Sequence, residues 1–148
     1  MNPSDVRIRI LQDHDRLRQD LRDLEAAVGA MLLDGAGEAQ VAKLVRNLLV
    51  ELSRHTELED TILAPALMEI DAWGAVRSKQ LLAHHQTQRA ELLELSCVFD
   101  MRLGLQDLAQ VISRLVLDLR RDMAHEERDI LSADLLRDDV IAVGGNSG

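Results

Sequence analysis

Four of the five histidines in this 148-residue chain, His14, His55, His85 and His125, fall on apolar seams of helical period rather than on charged faces. Two of them are followed four residues later by an acid: Glu59 after His55 and Asp129 after His125. That separation puts both side chains of a pair on one face of a helix. Imidazole and carboxylate so placed are donors for a transition-metal or zinc ion. A single seam histidine is more often a hydrogen-bonded core residue than a ligand, but four on four helices ask for a common cause.

The elements that carry them must be four helices. Turns stand at Asp34-Gly35-Ala36-Gly37, Asp71-Ala72-Trp73-Gly74 and Leu103-Gly104-Leu105. Between them run seams at steps of three and four: Ile10, His14, Leu17, Leu21, Leu24 and Val28; then Val41, Leu44, Leu48, Leu52, His55, Glu59 and Ile62; then Leu81, Leu82, His85, Gln88, Leu92, Leu95 and Phe99; then Leu108, Val111, Ile112, Leu115, Leu119, Asp122, His125 and Asp129. The second helix is expected to run past Pro65 toward Ile70 with a kink at the proline. Long helices on short loops imply an all-α, antiparallel up-down-up-down four-helix bundle. In such a bundle two residues on successive helices share a height only if they are equidistant from the turn between them. The midpoints of successive histidines fall at 34.5, 70 and 105, in or beside the three turns. All four rings are therefore expected in one layer of the core, where a cation is their natural partner.

A weak internal repeat supports this register. Ile10-Leu11-x-x-His14-x-x-Leu17-Arg18 on the first helix matches Leu81-Leu82-x-x-His85-x-x-Gln88-Arg89 on the third, and the two hairpins space their histidines by 41 and 40 residues. Each hairpin then offers a bare histidine and a His-x-x-x-acid pair, which suggests two metal ions. The repeat selects His85 over its neighbour, because an inward His84 would bring Glu91 and Glu94 into the core; His84 is expected to flank the site.

Composition sets the bounds. Apolar residues make up 47% and aromatics 1%, with no tyrosine, so the core must be aliphatic, as in bundles. Seventeen basic against 26 acidic side chains give a net charge of −9, which repels a phosphate backbone and argues against nucleic acid as partner. Cys97 stands alone, so no intramolecular disulfide is expected, and it reads as an inert core thiol. The start, Met1-Asn2-Pro3-Ser4-Asp5, lacks the basic and apolar regions of a signal peptide, so a cytoplasmic location away from the membrane is expected. The bundle is expected to span residues 1–138, with a flexible tail at 139–148. Trp73 is expected to plug a bundle end.

At its histidines and in the run Glu59-Asp60-Thr61-Ile62-Leu63-Ala64-Pro65 the chain resembles the hemerythrin-like, or HHE cation-binding, family, from His14 to about Leu136. The resemblance implies a bundle around a non-haem di-iron centre, oxo- or hydroxo-bridged, with zinc and manganese also suited to the donors. It makes His14 and His55 ligands of one metal, His85 and His125 ligands of the other, and Glu59 and Asp129 the bridging carboxylates. Asp129 is a methylene shorter than the glutamate usual there, and Glu126 is the reserve ligand. Oxygen-carrying members place a fifth histidine one turn from His85, where this chain has Leu81 and Arg89. About four protein donors per metal would leave positions open for dioxygen, hydrogen peroxide or nitric oxide. The expected function is thus binding or sensing of such a molecule, with slow peroxide decomposition as the enzymatic form. The alternatives are an iron donor for iron-sulfur repair, and a bundle with zinc or no metal that serves as a structural or interaction module, monomer or homodimer.

Overall fold

The computed structural model describes residues 1–139, and within them every regular element is helical. Helix α1 (Pro3–Asp34) begins with a proline whose missing N–H costs nothing in a first turn, and Asn2 is its cap residue. It ends at Gly35, which takes the left-handed conformation (φ 65°) and returns its N–H to the Met31 carbonyl. Helix α2 (Glu38–Leu58) leads into one π-helical turn (Glu59–Leu63) and then α3 (Ala64–Ile70). Together they form the bundle's second long rod. Helix α4 (Gly74–Val98) and α5 (Leu105–Asp129) complete the four, joined by a short 3₁₀ turn at Phe99–Met101.

The kink expected at Pro65 is thus a widened turn placed just before it. Pro65 has no N–H for the carbonyl four residues back, and its ring crowds that carbonyl. The chain opens to the longer π spacing instead, with the Ala64 N–H reaching the Glu59 carbonyl.

Helix α1 packs on α2 and α5, and α3 packs on α4, whereas α4 and α5 make few close backbone approaches. The core is divided in two. The larger part is built from Leu17, Leu21, Leu24, Val45, Leu48, Ile112 and Leu119 among others. The smaller part holds Val6, Ile10, Leu63, Leu67, Leu81, Leu131 and Leu136. The segment after α5 folds back to close this end: Arg7 Nε donates to the Leu131 carbonyl at 2.7 Å, and Ser4 Oγ donates to Asp138 at 2.7 Å. Between the two parts lies a layer of buried polar side chains.

Several expectations are corrected at the surface. Trp73 is 66% exposed and plugs nothing, Leu82 is 42% exposed, and Cys97 is exposed. The reason is common to all three: α4 lies against α3 near its start and has only a narrow buried stripe of Gly74, Ser78, Leu81, His85 and Leu95. The expected tail falls almost wholly outside the described residues. No helix among the described residues is long and apolar enough to cross a membrane.

Candidate metal centre

The polar layer draws on all four rods, with two residues from the second and one from each of the others. His14 continues the α1 seam one turn after Ile10 and is fully buried. His55 closes the α2 seam, and its ring centroid is 4.9 Å from that of His14. Glu59 opens the π turn and is 1% exposed. Its Oε1 lies 2.7 Å from His55 Nε2 and 3.6 Å from His14 Nε2, while its Oε2 lies 2.6 Å from His85 Nε2 on α4. From α5, Glu126 brings Oε1 to 3.2 Å from His14 Nε2. One donor atom from each of His14, His55, Glu59 and Glu126 lies within 4.8 Å of the others.

Behind this group stands a second row of acids. Asp13 Oδ2 is 2.6 Å from His55 Nδ1, and Asp60 Oδ1 is 2.7 Å from His85 Nδ1. Glu127 Oε2 is 3.4 Å from His14 Nδ1. Arginines steady two of these acids: Arg18 donates to Glu127, and Arg89 donates to Asp60 at 3.0 Å. A carboxylate on Nδ1 orients the ring and turns Nε2 toward the centre, as outer partners do for metal-bound histidines.

The electrostatics are those of a site that must be neutralised. Burial works to lower the His14 ring, but the facing carboxylates of Glu126 and Glu59 outweigh it and bring its pKa to about 9. Burial likewise opposes charge on His55, yet Asp13 and Glu59 raise it to about 10. His85 is raised against burial by Glu59 and Asp60. Glu59 is held well below the carboxylate range despite its burial, by Glu126 and the three imidazoles. Burial, then the neighbouring Glu59, push Glu126 up to about 8. Two acids side by side in a dry layer do not both ionise without a cation.

The residues fit a metal ion. Among the described residues, the buried side-chain polar atoms without a hydrogen-bond partner are His14 Nδ1, His14 Nε2, Glu59 Oε1 and Glu126 Oε1, all in this layer. Each such atom costs about 1–3 kcal/mol. An ion ligated by the three that face the centre would answer most of that cost at once.

Chain comparison gives the same direction. The family model described as Hemerythrin HHE cation binding domain matches residues 8–133. The chain belongs to this family. No curated protein and no solved structure gives a significant match. Residues 8–133 of the HHE domain run from the first turns of α1 to just past the end of α5, and so contain every residue of the layer.

Of the six ligands expected from sequence, the structure brings His14, His55, Glu59 and His85 together and leaves His125 and Asp129 outside. This is a correction. His125 is 68% exposed, with Arg128 donating to its Nδ1 at 2.7 Å and its Nε2 paired to Asp129 at 2.9 Å. Glu126, the reserve, faces inward. The midpoint rule gives height along a helix but not direction around it, and adjacent residues differ by about 100° in azimuth. The α5 seam runs Ile112, Leu119 and Glu126 at steps of seven, through buried Met123 rather than charged Asp122. Met123 was the available signal: an apolar residue at that position turns Glu126, not His125, to the core. His84 flanks the centre as expected, its Nε2 3.5 Å from Asp122. Asp13, Asp60 and Glu127 were missed, since an acid next to an inward-facing residue reads as solvated until the neighbouring helix is in place.

Proposed function

We propose that this HHE domain is a non-haem iron protein, with His14, His55, Glu59 and Glu126 holding the metal, and that it binds or senses a small molecule such as dioxygen, hydrogen peroxide or nitric oxide. The observation that carries the reading is the convergence of unpartnered imidazole and carboxylate atoms in a buried layer. Two imidazoles and two carboxylates suit a borderline divalent metal. Iron so held would supply open coordination positions and redox chemistry.

The chain's own residues do the rest. Asp13 fixes the ring of His55, Glu127 sets its charge 3.4 Å from His14 Nδ1, and Glu59 presents Oε1 to both rings. Beside the ligands lies a cavity walled by Leu17, Leu21, Leu48, Leu52, Leu119 and Met123, with about 10 Å³ of free space. That is about the room one water-sized molecule needs; Gln88, Asp122 and the ligands themselves complete the lining, so the space suits a small molecule that can sit against both aliphatic and polar groups. A cleft of about 370 Å³ between α4 and α5, lined by Arg77, His84, Asp122 and Glu126 among others, gives Glu126 a route to solvent.

Metal analysis after expression in iron-replete medium tests the reading. Wild type is expected to retain iron, and the ferrous protein to change its visible spectrum on exposure to nitric oxide or air. His55→Ala should lose both the metal and the spectrum. Zinc alone, or no metal, in folded wild type would contradict the iron assignment.

A further inference from the structure

We infer that this chain holds a single metal ion, at His14, His55, Glu59 and Glu126, where the family resemblance implies a pair. The inference rests on the reading of the layer as a metal centre and adds the number of ions. The argument is a comparison of donors at the two positions. The first has four donors whose ligating atoms lie within 4.8 Å of one another. A second ion would have to sit on the other oxygen of Glu59, where His85 Nε2 approaches Oε2 at 2.6 Å. There the supply runs out.

Helix α5 should provide the second imidazole, but it turns Met123 and Glu126 inward, and His125 lies on the outer surface between Arg128 and Asp129. His84 points to Asp122 and is 42% exposed. Asp60 is engaged by His85 Nδ1 and Arg89. One turn before His85 stands the buried, donorless Leu81. Even with Glu126 bridging, the second position has one imidazole and two shared carboxylates, against two imidazoles and two carboxylates at the first. His85 therefore acts as a positioning residue. Clamped between Asp60 and Glu59, it fixes Glu59 so that Oε1 faces His14 and His55.

The alternative arrangement is specific: α5 turned by about 100° would exchange Glu126 for His125 and complete a two-ion site with Asp129. Anaerobic titration of the metal-free full chain with ferrous ion, read by bound metal per chain, separates the two. One ion per chain is expected in wild type, in His125→Ala and in Asp129→Asn, both exposed positions whose folding is checked by circular dichroism. His85→Ala should still bind one ion, about tenfold or more weakly. Nitric oxide added to the ferrous protein should give the half-integer-spin EPR signal of an isolated ferrous ion. Two ions per chain in wild type, falling to one in His125→Ala or His85→Ala, would overturn the count while leaving the metal-centre reading intact. A folded chain that takes up no ion would overturn both.

Discussion

Asp13 shows how much of the centre is decided one bond away from it. Its carboxylate holds His55 Nδ1 at 2.6 Å and is itself kept below its usual pKa by that contact, against burial. Asp13→Asn preserves shape but removes the charge that makes the ring a better donor. We expect metal affinity to fall by about tenfold to a hundredfold with little change in fold, measured by competition with a chromophoric chelator; unchanged affinity would leave Asp13 without this role. The same residues set a pH dependence. His14, His55 and Glu126 have folded pKa values of about 9, 10 and 8, above their ordinary 6.5, 6.5 and 4.5. Each binds its proton more tightly folded than unfolded. Their contribution to stability is therefore whole below the unfolded values and is lost as pH rises through the folded ones. The metal-free protein should lose thermal stability from about pH 4.5, where Glu126 begins to count, up to about pH 10, and most steeply above pH 6.5 where the two histidines join it, while metal binding, which displaces those protons, should strengthen over the same range. Melting curves with and without metal should diverge as pH rises; parallel curves would contradict the assignment of protons to this layer.

At the level of the helix, two glycines make opposite predictions. A Cβ at Gly74 would stand 2.0 Å from the Leu67 carbonyl oxygen, so α4 can begin this close to α3 only without a side chain. Gly74→Ala should cost about 3 kcal/mol. Gly29 lies inside α1 with nothing within 4 Å of its missing Cβ, and Gly29→Ala should stabilise by about 0.5–1 kcal/mol. Chemical denaturation of the two variants checks both signs. Helices, turns and the height of the polar layer were legible in the chain, because glycines mark the turns and seam residues repeat at three and four. The rotation of α5 was less so: an unbroken series through Asp122 and His125 competes with one through Met123 and Glu126, and the single apolar residue Met123 is all that favours the second before α5 is packed against α1. The π turn was legible as an irregularity at Pro65 but not in kind. Its effect is local and chemical, since it lets the consecutive residues Glu59 and Asp60 both reach His85.

Across the described residues, a large aliphatic core and a smaller one form separate clusters, with the charged layer between them. Such a boundary is where a protein breaks into units that open independently. Without an ion, amides around Val6, Ile10, Leu67 and Leu131 should exchange with solvent before those around Leu24, Leu48 and Ile112, giving two protection levels in one chain. With the ion in place, α1, α2, the π turn and α5 are tied across the boundary, and the levels should merge. Hydrogen exchange on both forms reads this directly, and a single level in the metal-free protein would count against it. Cofactor loss would then be felt first as premature opening of one end of the rod bundle, so a protease that cuts only opened chains would distinguish loaded molecules from empty ones.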